Sequence, residues 1–449
     1  MDPTLPSFGD EVRAKLPDDL RLVRRRRVAL VLAALFVVAA CGGARPPAAR
    51  VAAPPPPAAA PLRIGTSGDY PPFSVSREDG DVGGFDVDVL RAYARDRGRE
   101  TALVRFAWPE LERRLLRGDF DVAAGGITVR GDRLARAPMT ATVARTDAVL
   151  VLRGNACSAF AAKGAHGSTI AVNGGGHLEK VARRTLPGAE IRALASNGDL
   201  PRAFRARDVD GIVTDTAELH ELRRAGDVSG GCVAAVLSRD RKAYWVDPRD
   251  AELARDLDAW LAEREADGLL PAVRARYGLE PAAGGADALL SPAPARVADL
   301  VGRRLLLMPL VAEAKRARGA QVEDLGREAV VERRAADAAC AAGLAPEPYR
   351  ELARAQIAAS KAVQRAVLAS ATGTGGPALD LDRDLRPAID RADDELRAEL
   401  VRAAPLDAAP AQLAARLRAD ADVPGLDDET LAHLAAALAD VRQGCVASR

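Results

Sequence analysis

"VTDTAELHEL", residues 213–222, runs an apolar approach into two carboxylates three residues apart. Val213 and Thr214 read as the last residues of a strand, and Ala217, Leu219 and Leu222 as the first apolar positions of a helix. Asp215 and Glu218 fall at the junction. In α/β proteins the strand-to-helix turn is where ligand-contacting groups are presented. An Asp at the cap with an acid three residues on also suits a helix N-terminus that holds no ligand. Both readings stand on these ten residues alone.

Working outward, the same alternation recurs from Leu62 to about Leu279. "LRIGTS" (62–67), "FDVAAGGITV" (120–129), "AVLVL" (148–152), "STIAVN" (168–173) and "DGIVTD" (210–215) read as buried strands bounded by turn residues. Helical stretches at 85–97, 108–117, 177–185 and 250–266 lie between or after them, which predicts an α/β fold. "EPAAGGADALLSPAPA" (280–295) is a linker by composition. Beyond it strand signals disappear. The chain reads as helices at about 296–318, 323–342, 346–370, 382–403 and 408–445, an all-α second domain. All three tryptophans precede residue 290, in keeping with two domains of different architecture.

At 449 residues the chain is too long for one ordinary domain. With 64 basic and 63 acidic residues it is almost neutral, so no nucleic-acid partner is expected. Arg24–Arg27 followed by "VALVLAALFVVAA" (28–40) reads as an export signal, with an apolar run short for a membrane span. "VAAC" ends it in small residues before Cys41, a lipobox-like pattern that predicts lipidation of Cys41 after cleavage. The stretch before Arg24 is long for a basic region, which puts Met1 in question as the true start. Thus 1–41 is read as a lipoprotein-type signal peptide and 42–61 as a Pro/Ala-rich tether. A membrane is a partner only through that lipid anchor; a homodimer is left open.

Without Cys41 four cysteines remain, an even number suited to an oxidising compartment. Cys157 and Cys232 flank one segment of the first domain and are paired on that ground. Cys340 with Cys445 is then the remaining option, with no signal in the sequence that the two approach. Four scattered histidines make no metal site, and no nucleotide-binding loop is present, so no cofactor is expected.

"LRIGTSGDYPPFSV" (62–75), "GGFDVDVLRAYA" (83–94), "WPELERRLLRGDFDVAAGGITVRGDR" (108–133) and "VDGIVTDTAEL" (209–219) resemble, in order, the bilobed periplasmic binding proteins for polar amino acids. The resemblance covers nearly all of 62–280. It implies a type II arrangement with lobe one at about 62–150 plus 240–280, lobe two at 151–239, and crossings near 148–153 and 236–246. It also implies that Arg133 grips a ligand carboxylate, with Thr128 of the same stretch a further contact, and that Asp215 holds an ammonium. An Arg–carboxylate fork is strong recognition of an organic anion. Asp69 and Tyr70 fall on a cleft-facing loop, and Gly125 and Gly126 leave room for a ligand at the backbone.

"TSGDYPPFS", "WPEL", "VNGGG" (172–176), "TDTAE" (214–218) and "KAYWVDPRDAELARDLDAWL" (242–261) look like the enzymatic branch of that family, the exported cyclohexadienyl dehydratases. That resemblance makes Glu218 the general acid that protonates the leaving hydroxyl of prephenate or arogenate, and Asn173 a substrate contact. A carboxyl group does this near neutral pH only if burial or a neighbouring acid raises its pKa. Two departures stand against it. The dehydratases' "NPGGTN" is "NGGGHL" here (173–178), which brings in His177 and Leu178, and a lysine expected at the first crossing is Asp147. Arg145 or His177 are the candidate replacements.

"RRLLLMPLVAEAKRARGAQVEDLGRE" (303–328) with "GLAPEPYRELARAQIAASKAVQ" (343–364) resembles the secreted all-helical chorismate mutases. Carried across, Arg304, Lys315, Asp324, Arg327, Ser360 and Gln364 line the pocket, and Arg386 in "LRPAID" (385–390) completes it. Spacing agrees: Arg304 and Lys315 are three helical turns apart, and Ser360 and Gln364 one turn. Pro309 should kink the helix between the first pair. No site is recognisable in 408–445.

The reading is an exported bifunctional enzyme. The domain at 296–449 rearranges chorismate to prephenate, and the domain at 62–280 converts prephenate or arogenate to phenylpyruvate or phenylalanine. The runner-up keeps the mutase but makes the α/β domain a non-catalytic binder of an amino acid or aromatic acid.

Overall fold

The structure, a computed structural model, describes residues 60–154, 156–279, 290–370 and 379–445. Cys41, the signal and most of the tether, and linker residues 281–289 lie outside them.

The α/β half is built on two main sheets. Its strands are β1 (Leu62–Thr66), β2 (Asp69–Tyr70), β3 (Ser74–Ser76), β4 (Val82–Gly83), β5 (Thr101–Arg105), β6 (Val122–Ala123), β7 (Ala144–Arg153), β8 (Thr169–Asn173), β9 (Glu190–Leu194), β10 (Gly211–Asp215), β11 (Gly231–Lys242) and β12 (Trp245–Val246). Lobe one carries the order β12-β6-β1-β5, lobe two β11-β7-β10-β8-β9, and β2-β3-β4 form a small antiparallel sheet. β1 pairs parallel with β5 and β6, and β8 parallel with β9 and β10. β1 and β10 are buried along nearly their whole length, as strands covered on both faces must be.

Three expectations need correction. The apolar run 120–129 is a strand only at Val122–Ala123, because Gly125 and Gly126 adopt positive φ of 118° and 75° and turn the chain away. The first crossing comes earlier than 148–153. β7 and β11 pair antiparallel from Ala144↔Lys242 to Arg153↔Gly231, so both enter lobe two at their Ala144 and Lys242 ends. The stretch 408–445 is two helices, Pro410–Asp420 and Asp428–Ala439, parted by a segment in which Gly425 has φ 84°.

The second half is helical: Pro292–Arg318, Leu325–Ala341, Pro346–Ala369, Arg386–Ala403 and the two C-terminal helices. The first runs unbroken through Pro309. Its Val297, Leu300, Val301 and Leu305 meet Leu352, Ala355, Leu400, Leu413, Leu434 and Leu438 in one apolar core. One turn further, Leu307, Met308 and Val311 join Ala135 of the α/β half. There the short helix Gly131–Arg136 packs so closely that a Cβ on Gly131 would lie 2.1 Å from the Leu306 carbonyl oxygen.

Cys157 is bonded to Cys232, holding the helix Ala156–Lys163 against β11, and Cys340 to Cys445, closing a loop of 105 residues around the helical half.

Candidate functional site

The strand-to-helix junction of the opening stretch lies between the lobes. Asp215 ends β10 and is fully buried; its Oδ1 accepts the Glu218 N–H at 2.9 Å, which caps the helix Thr216–Arg224. Its other oxygen faces lobe one, where it accepts the Tyr70 hydroxyl and lies 3.1 Å from Lys242 Nζ. The same carboxylate therefore caps a helix and lines the cleft. The two readings of the sequence are not alternatives.

Glu218 is 2% exposed. The Thr214 hydroxyl donates to one of its oxygens at 2.5 Å and the Asn197 side-chain amide to the other. Burial pushes its pKa up to about 8; Asp215 and Asp69 add to the rise, while the bonds from Thr214 and Asn197 oppose it. That shift favours the protonated acid near neutral pH.

Tyr70, Trp108, Thr128, Arg133, Asn173, His177 and Lys242 surround a narrow cleft. Arg133 is buried, donates to the Thr128 carbonyl oxygen at 2.8 Å and lies over the Trp245 ring, 5.6 Å from its centroid. Burial, with Arg130 nearby, lowers its pKa to about 9. Lys242 donates to Thr128 Oγ1 at 3.1 Å. The Asn173 side-chain oxygen is buried with no partner among the described residues.

Several predicted residues stand in other roles. Asp69 reaches the rim, but its oxygens accept from Trp108 Nε1 and the Asn197 backbone N–H, both at 3.2 Å, so it joins the lobes. Gly126 is required by its φ and by Tyr70, which a Cβ would meet at 2.7 Å; the N–H groups of Gly125 and Gly126 go to Asp86 Oδ2 at 2.7 Å rather than to a ligand. Arg145 bonds Asp420 of the helical half at 2.6 Å and does not replace a cleft cation. His177 is 2.8 Å from Asp240 Oδ1, and burial lowers its pKa against the pull of Asp240.

Sequence reasoning missed Lys242, Asn197 and Thr214. Lys242 begins one of the quoted stretches. The cation sought on the first crossing comes from the second, where strand alternation aims Lys242 at the cleft.

In the helical half, Arg304 donates to Ser360 Oγ at 2.6 Å and to Asp393 at 2.8 Å, and Ser360 donates to the Gln356 carbonyl oxygen at 2.6 Å. One turn on, the buried Gln364 amide lies 3.8 Å from Met308 Sδ, and its oxygen has no partner among the described residues. Lys315 is about three turns beyond Arg304 on the helix Pro292–Arg318 and donates to the Val322 carbonyl oxygen at 3.0 Å. Burial lowers its pKa, reinforced by Arg327 and Arg386 nearby. Arg386 pairs with Asp382, and Asp324 caps the helix Leu325–Ala341 by accepting the Arg327 N–H at 3.0 Å. Arg304, Ser360 and Gln364 thus form one group, and Lys315, Arg327 and Arg386 a cationic one.

Residues 62–280 match the bacterial extracellular solute-binding proteins, family 3, and residues 295–365 match chorismate mutase type II. A cyclohexadienyl dehydratase of Pseudomonas aeruginosa is 31% identical over 213 residues, 46% of this chain and 79% of that protein. An L-cystine-binding protein of Escherichia coli is 23% identical over 218 residues, 48% and 82% of the two chains. Among solved structures, an ancestral amino acid-binding protein described as a precursor of cyclohexadienyl dehydratase is 23% identical, with a TM-score of 0.45, covering 49% of this chain and 95% of that one. The chain belongs to the family 3 solute-binding proteins. Its α/β domain is related to cyclohexadienyl dehydratase, and a helical chorismate mutase domain follows it.

Proposed function

We propose that the protein makes prephenate from chorismate in its helical domain and converts prephenate to phenylpyruvate in its α/β cleft. The observation that carries this is Glu218: a buried carboxyl with its pKa raised to about 8, next to Asp215, whose Lys242 partner lines the cleft together with Arg133.

In the helical domain the rearrangement needs no acid, base or nucleophile. It needs the substrate held compact and charge stabilised on the ether oxygen. Arg304, Arg327 and Arg386 clamp the two carboxylates, with Ser360 orienting Arg304. Lys315 and Gln364 donate to the ether oxygen; Gln364 does so at every pH. Asp324 acts by holding the helix that carries Arg327.

In the cleft, Arg133 and Thr128 take the side-chain carboxylate of prephenate, and Asn173 offers a polar contact. The ring hydroxyl leaves as water when Glu218 gives it a proton. The electrons of the breaking bond to the ring carboxylate complete the aromatic ring and carbon dioxide departs; Glu218 regains its proton from solvent. Lys242 supports this substrate over an amino acid. It already balances the charge of Asp215, the group that would otherwise hold an ammonium. For the same reason we rank prephenate, which has no ammonium, ahead of arogenate.

The N-terminal pattern and two disulfides support export to an oxidising compartment with an anchor at Cys41. The direct test is to supply purified full-length protein with chorismate near neutral pH and follow prephenate and phenylpyruvate together. Prephenate without phenylpyruvate would leave the cleft a binding site.

A further inference from the structure

Successive residues of β11 point to opposite sides. Lys242 enters the cleft; Arg241 enters the helical domain, where its Nη1 donates to Asp299 Oδ1 at 2.5 Å and to the Asp299 carbonyl oxygen at 3.1 Å. Asp299 lies on the helix Pro292–Arg318 and is 3% exposed. It also accepts from the Thr142 hydroxyl at 2.6 Å and from Arg303 Nε at 2.9 Å. Thr142 lies just before β7, and Arg241 is the penultimate residue of β11. One buried carboxylate of the helical domain therefore holds both crossings between the lobes.

The main chain carries this to the cleft. Val129 N donates to the Arg241 carbonyl oxygen at 2.8 Å, Ala243 N to that of Ile127 at 2.9 Å, and Val143 N to that of Lys242 at 2.8 Å. Arg241 and Lys242 are thus stitched to the strip that contains Thr128, whose hydroxyl receives Lys242. Lobes of this kind move by dihedral changes in their crossing segments. A group bonded to both segments restrains that motion.

We propose that Asp299 is a positioning residue for the cleft of the other domain: by tying Thr142 and Arg241 to the first mutase helix, it fixes the crossings and thereby the place of Lys242 beside Asp215. The inference rests on the cleft being the substrate site proposed above, not on the reaction carried out there. It gives the helical domain a part in the α/β site beyond supplying its substrate.

The test uses the full chain with Asp299→Asn and, as a milder change that removes one bond to one crossing, Thr142→Val. Asp299→Asn should raise the KM for added prephenate and weaken phenylpyruvate binding about ten- to hundredfold, the scale on which a remote displacement of about 1 Å is felt. Its kcat should change far less, because a displaced cation weakens substrate and transition state alike. Amide exchange should quicken at 239–243, and chorismate consumption should stay within about twofold. Thr142→Val should move the same quantities in the same direction by less. Unchanged cleft binding and exchange in both variants would overturn the proposal. So would parallel loss of both activities with the melting temperature, which would make Asp299 a structural residue only. If the unmutated protein forms no phenylpyruvate, the proposed reaction fails, while phenylpyruvate binding and amide exchange still decide on Asp299.

Discussion

Lys242 Nζ lies 3.1 Å from Asp215 Oδ2 with both residues essentially buried, an internal ion pair whose carboxylate also caps the helix that carries Glu218. Removing one member of such a pair strands the other, which commonly costs about 3–5 kcal/mol. Lys242→Met should therefore lower the melting temperature and raise the KM for prephenate. Asp215→Asn added to it should restore stability but not turnover. Thermal unfolding with prephenate kinetics checks this, and a stable, fully active Lys242→Met protein would remove Lys242 from the site.

Glu218→Gln keeps shape and hydrogen-bonding reach but has no proton to transfer. Supplied with chorismate, the variant should accumulate prephenate, with phenylpyruvate formation reduced by about two to four orders of magnitude. The assay must be run near neutral pH, because acid aromatises prephenate unaided. Unchanged phenylpyruvate production would assign the proton to another group.

The pKa of about 8 at Glu218 has two pH signatures. Phenylpyruvate formation should fall as pH rises through about 8 and the acid ionises. The folded pKa is raised above the usual carboxyl value, so the folded state keeps a proton the unfolded chain loses. Glu218's contribution to stability is then fully present below the unfolded pKa and is lost as pH rises towards 8. Melting curves from pH 5 to 8 should show that slope in the parent protein and a shallower one in Glu218→Gln; identical slopes would count against a raised pKa.

Lys315→Ala should reduce chorismate consumption by about 10²–10³-fold, the scale of losing one charge-stabilising donor. Turnover of added prephenate should be unaffected, since Lys315 makes its contact to Val322 within the helical domain. Near-normal rearrangement would exclude Lys315 from the pocket.

Both disulfides should be found in exported protein by non-reducing peptide mapping, as Cys157–Cys232 and Cys340–Cys445 peptides. A free thiol at any of the four positions, or a crossed pairing, would contradict the arrangement.

The sequence by itself determined the local elements and the chemistry of the candidates. "VTDTAEL" specified strand, cap and helix because apolar alternation, an Asp at the cap and a helical period act over a few residues. The four helices from Pro292 to Ala403 were equally legible, as were the types of residue that would serve in each site. Tertiary structure decided what those residues face. Arg145 reads as a cleft cation but turns to Asp420, and Lys242, to which the sequence assigned no role, enters the cleft, because the register of β7 with β11 sets which side each residue takes. Asp69 is spent on joining lobes, and Gly126 yields to the Tyr70 ring, through contacts between residues far apart in the chain. The elevated pKa of Glu218 was likewise beyond the sequence. Asp215 beside it could be read, but the larger cause is burial, which exists only in the folded protein.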